Sequence, residues 1–178
     1  MSNFKHLVPN RECGACSVCC VSLRINEDVL KKIADVPCQH LSQRGCGIYT
    51  ERPRVCKNWY CAWRIFPSLG DEWRPDISKI LIKYSRNKIT LQPLKSEHSK
   101  KLAEESSLTI LAHFMIAGFN VETSIPTRPG FCNSLMTIND MFKDPIEKRD
   151  LIMAKILMKK VIFISRHSNT LPEPLLDD

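Results

Sequence analysis

Residues 13–20 read Cys13-Gly14-Ala15-Cys16-Ser17-Val18-Cys19-Cys20, four thiols in eight positions. A two-residue gap lets successive cysteines turn inward on one ion or cluster, as in zinc fingers and ferredoxins. The bacterial ferredoxin run needs three residues after its third cysteine and then Cys-Pro. Here Cys20 follows Cys19 at once, and Val21 is not proline. The three-then-two spacing of a radical-SAM triplet is also missing. In an extended segment neighbouring side chains point to opposite faces, so Cys19 and Cys20 are expected to serve different centres. The alternative is that one of them is a ligand and the other a packed or redox-active thiol.

Four more cysteines follow within the first 61 residues. They lie in Cys38-x-His40-Leu41, Gly45-Cys46-Gly47-Ile48-Tyr49, Arg52-Pro53-x2-Cys56 and Trp59-Tyr60-Cys61-x-Trp63. Eight thiols in fewer than fifty residues exceed what packing needs. Two centres of four thiolates account for all eight, whereas a single four-iron cluster leaves four unexplained. The ninth, Cys132, stands alone and reads as a small buried hydrophobe. Glycines on both sides of Cys46 let the backbone approach a metal closely.

From Cys13–Cys20 and the Cys-x-Ile-Tyr-x2-Arg-Pro-x2-Cys block of Cys46–Cys56, the chain resembles the CxxCxxCC family of YkgJ-type cysteine-cluster proteins. The resemblance covers about residues 11–64, a third of the chain. It implies a zinc- or iron-chelating domain with eight cysteine ligands. Carried over, these fall on Cys13, Cys16, Cys19, Cys20, Cys38, Cys46, Cys56 and Cys61. A larger relative, flagellin lysine N-methylase, carries an iron–sulfur cluster, which makes an enzyme or enzyme accessory of protein lysine methylation the alternative. No glycine-rich loop for S-adenosylmethionine is visible here, so the analogy transfers the metal and not the reaction.

The chain has 178 residues, 43% of them hydrophobic, and a formal net charge of +7. That length suits one domain with a small appended module. No stretch approaches the roughly 20 apolar residues of a membrane span, and Met1–Arg11 lacks a secretory apolar run. A cytoplasmic, reducing setting follows, in which clustered cysteines are metal ligands or catalytic thiols before they are disulfides. Residues 1–64 hold ten Lys/Arg against five Asp/Glu. Eight thiolates and two divalent ions would bring the whole to about +3, so the basic residues offset anionic centres. Without a dense basic run or basic–aromatic stripe, nucleic acid is disfavoured as a partner. A metal ion and a protein partner remain.

The expected fold is α+β, a cysteine-rich metal-binding module packed on a mixed half. Residues 11–64 form the module, 73–166 the remainder and 167–178 a flexible tail. Asn26 is expected to cap a helix to Ala34, with Glu27 and Asp28 in its first turn. Ser78–Leu94 alternates as a β-hairpin. Ser96–Ala117 reads as a helix stopped by Gly118, and Val121–Ile125 as a strand. Asp144-Pro145-Ile146-Glu147 reads as the start of a helix to about Lys160. His40 reads as a neighbour of the sulfurs rather than a ligand. Arg52 and Arg54 are candidate donors to sulfur, with Arg52 favoured by the turn at Pro53. Trp59 and Trp63 would wall the sulfurs off from water or serve as core. Tyr49 and Tyr60 read as structural, and His98, His113 and His167 have no ligand-spaced partner. No catalytic acid–base or nucleophile set is visible.

Overall fold

A computed structural model describes residues 7–174; the first six and last four residues, including the end of the expected tail, lie outside them. The chain is α+β, as its sequence predicts. It divides into two compact units, one of residues 7–78 with 173–174 and the other of 79–172. No helix among the described residues is long and apolar enough to cross a membrane.

The first unit is built from very short elements. Helix α1 (Val18–Ser22) leads into a hairpin of β1 (Ile25–Glu27) and β2 (Leu30–Lys32). A second, minimal hairpin follows, β3 (Leu41–Ser42) and β4 (Gly45–Cys46). Three single turns of helix then close the unit, α2 (Arg54–Lys57), α3 (Ala62–Ile65) and α4 (Pro75–Ser78), with a 3₁₀ turn at Asp71–Trp73. Its apolar core is small: Val18, Ile25, Leu30, Ala62, Trp63, Leu69 and Trp73.

Residues 26–34, expected as a capped helix, form the first hairpin instead. Nine residues are too few to hold a helix without a packed face, and the sequence offers none. Leu30 and Lys32 are buried alternately while Val29 is 73% exposed. Lys32 settles the conformation, because its ammonium donates to the carbonyls of Val21 (2.9 Å), Ile33 (2.9 Å) and Leu23. That ties the hairpin to the end of α1.

The second unit is one four-stranded sheet with helices on it. Strands β5 (Ile80–Ser85) and β6 (Lys88–Pro93) form the expected antiparallel hairpin. A 3₁₀ segment, Ser96–Ala103, and α5 (Glu105–Ile116) carry the chain to β7 (Asn120–Ile125), which runs parallel to β6. Strand β8 (Ser134–Thr137) pairs antiparallel with β7 and gives the order β5-β6-β7-β8. Helices α6 (Asn139–Glu147) and α7 (Leu151–Arg166) follow, and α5 and α7 pack against β7. Ile82, Leu91, Val121 and Ile125 are buried in this unit with Leu108, Leu111, Phe114, Met158 and Val161. In register behind them, Lys83, Thr90, Glu122 and Thr137 form a polar row across the strands. Thr90 donates to Glu122 at 3.2 Å.

Two helix boundaries differ from expectation. The run 96–117 breaks at Glu104, whose extended backbone separates a 3₁₀ segment from α5. Buried Ser99 and Leu102 stand three apart, the period that superposes side chains in a 3₁₀ helix. The second is Pro145, which sits inside α6 rather than starting a helix. Asn139 begins α6 earlier, accepting from Val121 N (2.7 Å) and donating to Phe119 O (2.9 Å), while Phe142 and Pro145 are buried. Arg149, at φ +53°, reverses the chain, and Asp150 caps α7 by accepting from Met153 N at 2.9 Å. The segment after Arg166 is anchored in part: Phe131 bridges Pro172, and Cys132 N donates to Leu171 O at 2.9 Å.

Candidate metal centre

All eight N-terminal cysteines lie in the first unit, reduced and half-buried. Hydrogen bonds of the chain gather them. Cys16 N donates to Cys13 O at 2.8 Å, closing the tight turn that Gly14 allows at φ +51°. Arg11 holds that turn beside Cys61. Its guanidinium donates to the carbonyls of Trp63 (2.6 Å), Phe66 (3.1 Å) and Leu69, and Val8 N donates to Arg64 O at 2.9 Å. Cys61 precedes α3, and Arg64 N donates to its carbonyl at 3.0 Å.

The other cysteines are joined by different bonds. Cys38 N donates to Cys20 O at 2.9 Å, and Leu41 N to Cys38 O at 2.9 Å. Leu41 pairs with Cys46 in the second hairpin, which Gly47 N extends by donating to His40 O at 2.8 Å. Arg52 reaches back over the next turn, donating to Tyr49 O (2.7 Å) and Cys56 O (3.3 Å), with its guanidinium 4.0 Å from the Tyr49 ring centroid. The residue favoured from sequence as a donor to sulfur therefore spends its bonds on carbonyls.

Cys19 and Cys20 fall within α1, about 100° apart around its axis rather than on opposite faces. Their thiols meet, and the Cys19 thiol donates to the Cys20 sulfur. That bond, then burial, pushes the Cys19 thiol far up. The same bond lowers Cys20 to about 7, against burial and with help from Lys32. Burial pushes Cys61 up to about 11, and raises Cys16 and Cys56. Asp76, not picked out from sequence, sits beside Cys16; burial opposes its ionisation, but the Arg74 fork (2.7 and 2.9 Å) leaves it below the usual carboxylate range. Only its position, fifteen residues beyond Cys61, was available from sequence, and nothing marked it.

The remaining aromatic and basic residues divide clearly. Trp63 is core, 5% exposed, whereas Trp59 is half-buried. His40 meets the Gln39 amide at 3.2 Å. Arg54 starts α2, and Arg64, passed over in sequence, is only 8% exposed. Its Nε and Nη1 have no hydrogen-bond partner among the described residues. The guanidinium lies over the Tyr60 ring, 5.7 Å from the centroid. A buried cation without an anion is costly.

Whether this set suits a metal depends on donor chemistry and on reach. The donors are soft thiols, the class that zinc and iron–sulfur clusters take. Among the described residues, no three His, Cys, Asp or Glu side chains are gathered tightly enough to hold an ion. Convergence requires side chains to turn, and even an off-rotamer χ costs about 0.5–1.5 kcal/mol. Structural zinc supplies about 10–16 kcal/mol in thiolate-rich peptides. The cost for four ligands is smaller than that, and the backbone has already placed them. The residues fit a metal in kind.

No protein-family model matches the chain, and neither a curated protein nor a solved structure is significantly similar to it.

Proposed function

We propose that residues 13–61 form a metal-binding module whose eight cysteines hold zinc or an iron–sulfur cluster, in a structural or redox role in the cytoplasm. The carrying observation is the Arg64 guanidinium, buried, without an acceptor for Nε and Nη1, three residues after Cys61. A thiolate centre is an anion, even with a divalent ion bound to four sulfurs. Such a centre beside Arg64 would give Nε and Nη1 the acceptor that they lack among the described residues. The small apolar core of the unit points the same way, since ligation energy would add to folding energy. Reduced thiols require the reducing compartment that this reading assigns.

Anaerobic purification from metal-replete cells, followed by elemental analysis and an absorption spectrum, tests the reading. Zinc gives a colourless protein with about two ions per chain, and an iron–sulfur cluster a brown one with matching sulfide. A folded protein without bound metal would sink it.

A further inference from the structure

We infer that the eight cysteines form two separate four-thiol sites, Cys13, Cys16, Cys19 and Cys61 in one, and Cys20, Cys38, Cys46 and Cys56 in the other. The inference rests on the metal-binding reading and assigns its ligands. The main chain draws the division. Arg11 and Val8 fasten the Cys13–Cys16 turn to residues 63–69, directly after Cys61. None of the bonds that gather the second set touches that group. There, Cys38 is bonded to Cys20, Leu41 to Cys38 and Leu41 to Cys46 in register, and Arg52 turns Cys56 back toward Tyr49 in the loop just after Cys46.

Cys19 follows the Cys13–Cys16 turn by three residues, near the start of α1. The sets adjoin in several places, one of them where Tyr49 of the second reaches Cys13 of the first. Two more are the Cys19–Cys20 step and the packing of Gly45 on Gly14. Arg64, on the Cys61 helix, belongs to the first set. Four thiolates around a tetrahedral ion form a closed structural site, and each set is complete in that sense.

The test uses the full chain and counts bound zinc and iron. Cys13→Ser/Cys61→Ser and Cys38→Ser/Cys56→Ser should each retain half of the wild-type metal. The cross pair Cys13→Ser/Cys38→Ser should retain almost none. A cross pair that keeps half, or a within-set pair that keeps all, overturns the division. Because a serine variant can fail to fold for other reasons, the wild-type protein supplies a second readout. With limiting chelator followed by alkylation and peptide mass spectrometry, thiols should become reactive in two groups with the membership given above. Labelling that mixes the groups overturns the division while leaving metal binding intact. Wild-type protein that binds no metal overturns the underlying reading and the division with it.

Discussion

Gly45 lies against Gly14 so closely that a Cβ built on Gly45 would stand 2.7 Å from the Gly14 carbonyl oxygen. Gly45 has φ +101°, outside the pocket that L-residues visit, whereas Gly14 has φ +51° and open space around its own missing Cβ. Gly14→Ala should therefore carry the left-handed cost alone, about 1–2 kcal/mol. Gly45→Ala adds a collision with backbone that cannot swing aside, and should destabilise the unit more. All three tryptophans, Trp59, Trp63 and Trp73, lie in this unit, so urea unfolding followed by their fluorescence reports it. Equal midpoints for the two variants would show that the contact carries no energy.

The α+β class and the hairpin at 80–93 were readable because Ile80, Ile82 and Tyr84 recur at period two and Arg86-Asn87 separates them from Ile89 and Leu91, although burial runs unbroken through Ile80–Ile82 and Ile89–Pro93. The gathering of all eight cysteines in one unit was readable from spacing and compartment. Which thiol neighbours which was not, since Arg11 acts across 52 residues on Trp63 and no local pattern announces it. Residues 26–34 were misread because capping residues are a weak signal in so short a segment, and Lys32 overrode them with three carbonyl contacts. The backbone at Cys19 and Cys20 was not readable, since one turn of helix forms where an extended segment was assumed.

The start of α7 gives a clean test of that kind of error. Asp150 accepts from Met153 N, while Asp144 pairs with Lys148 on the surface at 2.9 Å. Asp150→Ala should cost about 1 kcal/mol, the usual range for a lost cap. Asp144→Ala should leave α7 unchanged, because an exposed pair four residues apart contributes little. Hydrogen exchange of the α7 amides distinguishes them. Faster exchange in Asp144→Ala than in Asp150→Ala would restore the boundary expected from sequence.

Lys83 ties stability to pH in the second unit. Burial lowers its pKa below the ordinary 10.5, with Glu122 opposing and Lys88 adding to the shift. Between the folded and unfolded values the unfolded chain binds more protons, so stability rises with pH across that window. The penalty is fully present below the folded pKa and disappears above 10.5. Lys83→Met removes the titrating group while keeping much of its apolar stem. The variant should be more stable than wild type near pH 8, and the difference should shrink as pH approaches 10.5. A difference that grows over this range would mean that the ammonium stabilises the fold.

Alkylation of the metal-free chain should follow the sulfur electrostatics, because the thiolate is the reactive form. At pH 7.5 Cys20, lowered to about 7 by the bond from Cys19, should label first. Cys19 gives up that proton only at a far higher pH, and Cys61, at about 11, is held back chiefly by burial. Both should label last, and the Cys61 rate should keep rising about tenfold per pH unit until pH nears 11. Once Cys20 is alkylated it no longer accepts as a thiolate, so Cys19 should then speed up, and labelling of the pair should be ordered rather than random. Loading with zinc should protect all eight while leaving Cys132 at its former rate, since Cys132 lies in the other unit beside Pro172. Peptide mass spectrometry over a pH series measures each rate separately. Uniform labelling of the eight thiols would mean that the Cys19–Cys20 bond does not persist in solution, and protection of Cys132 by zinc would place a ligand outside residues 13–61.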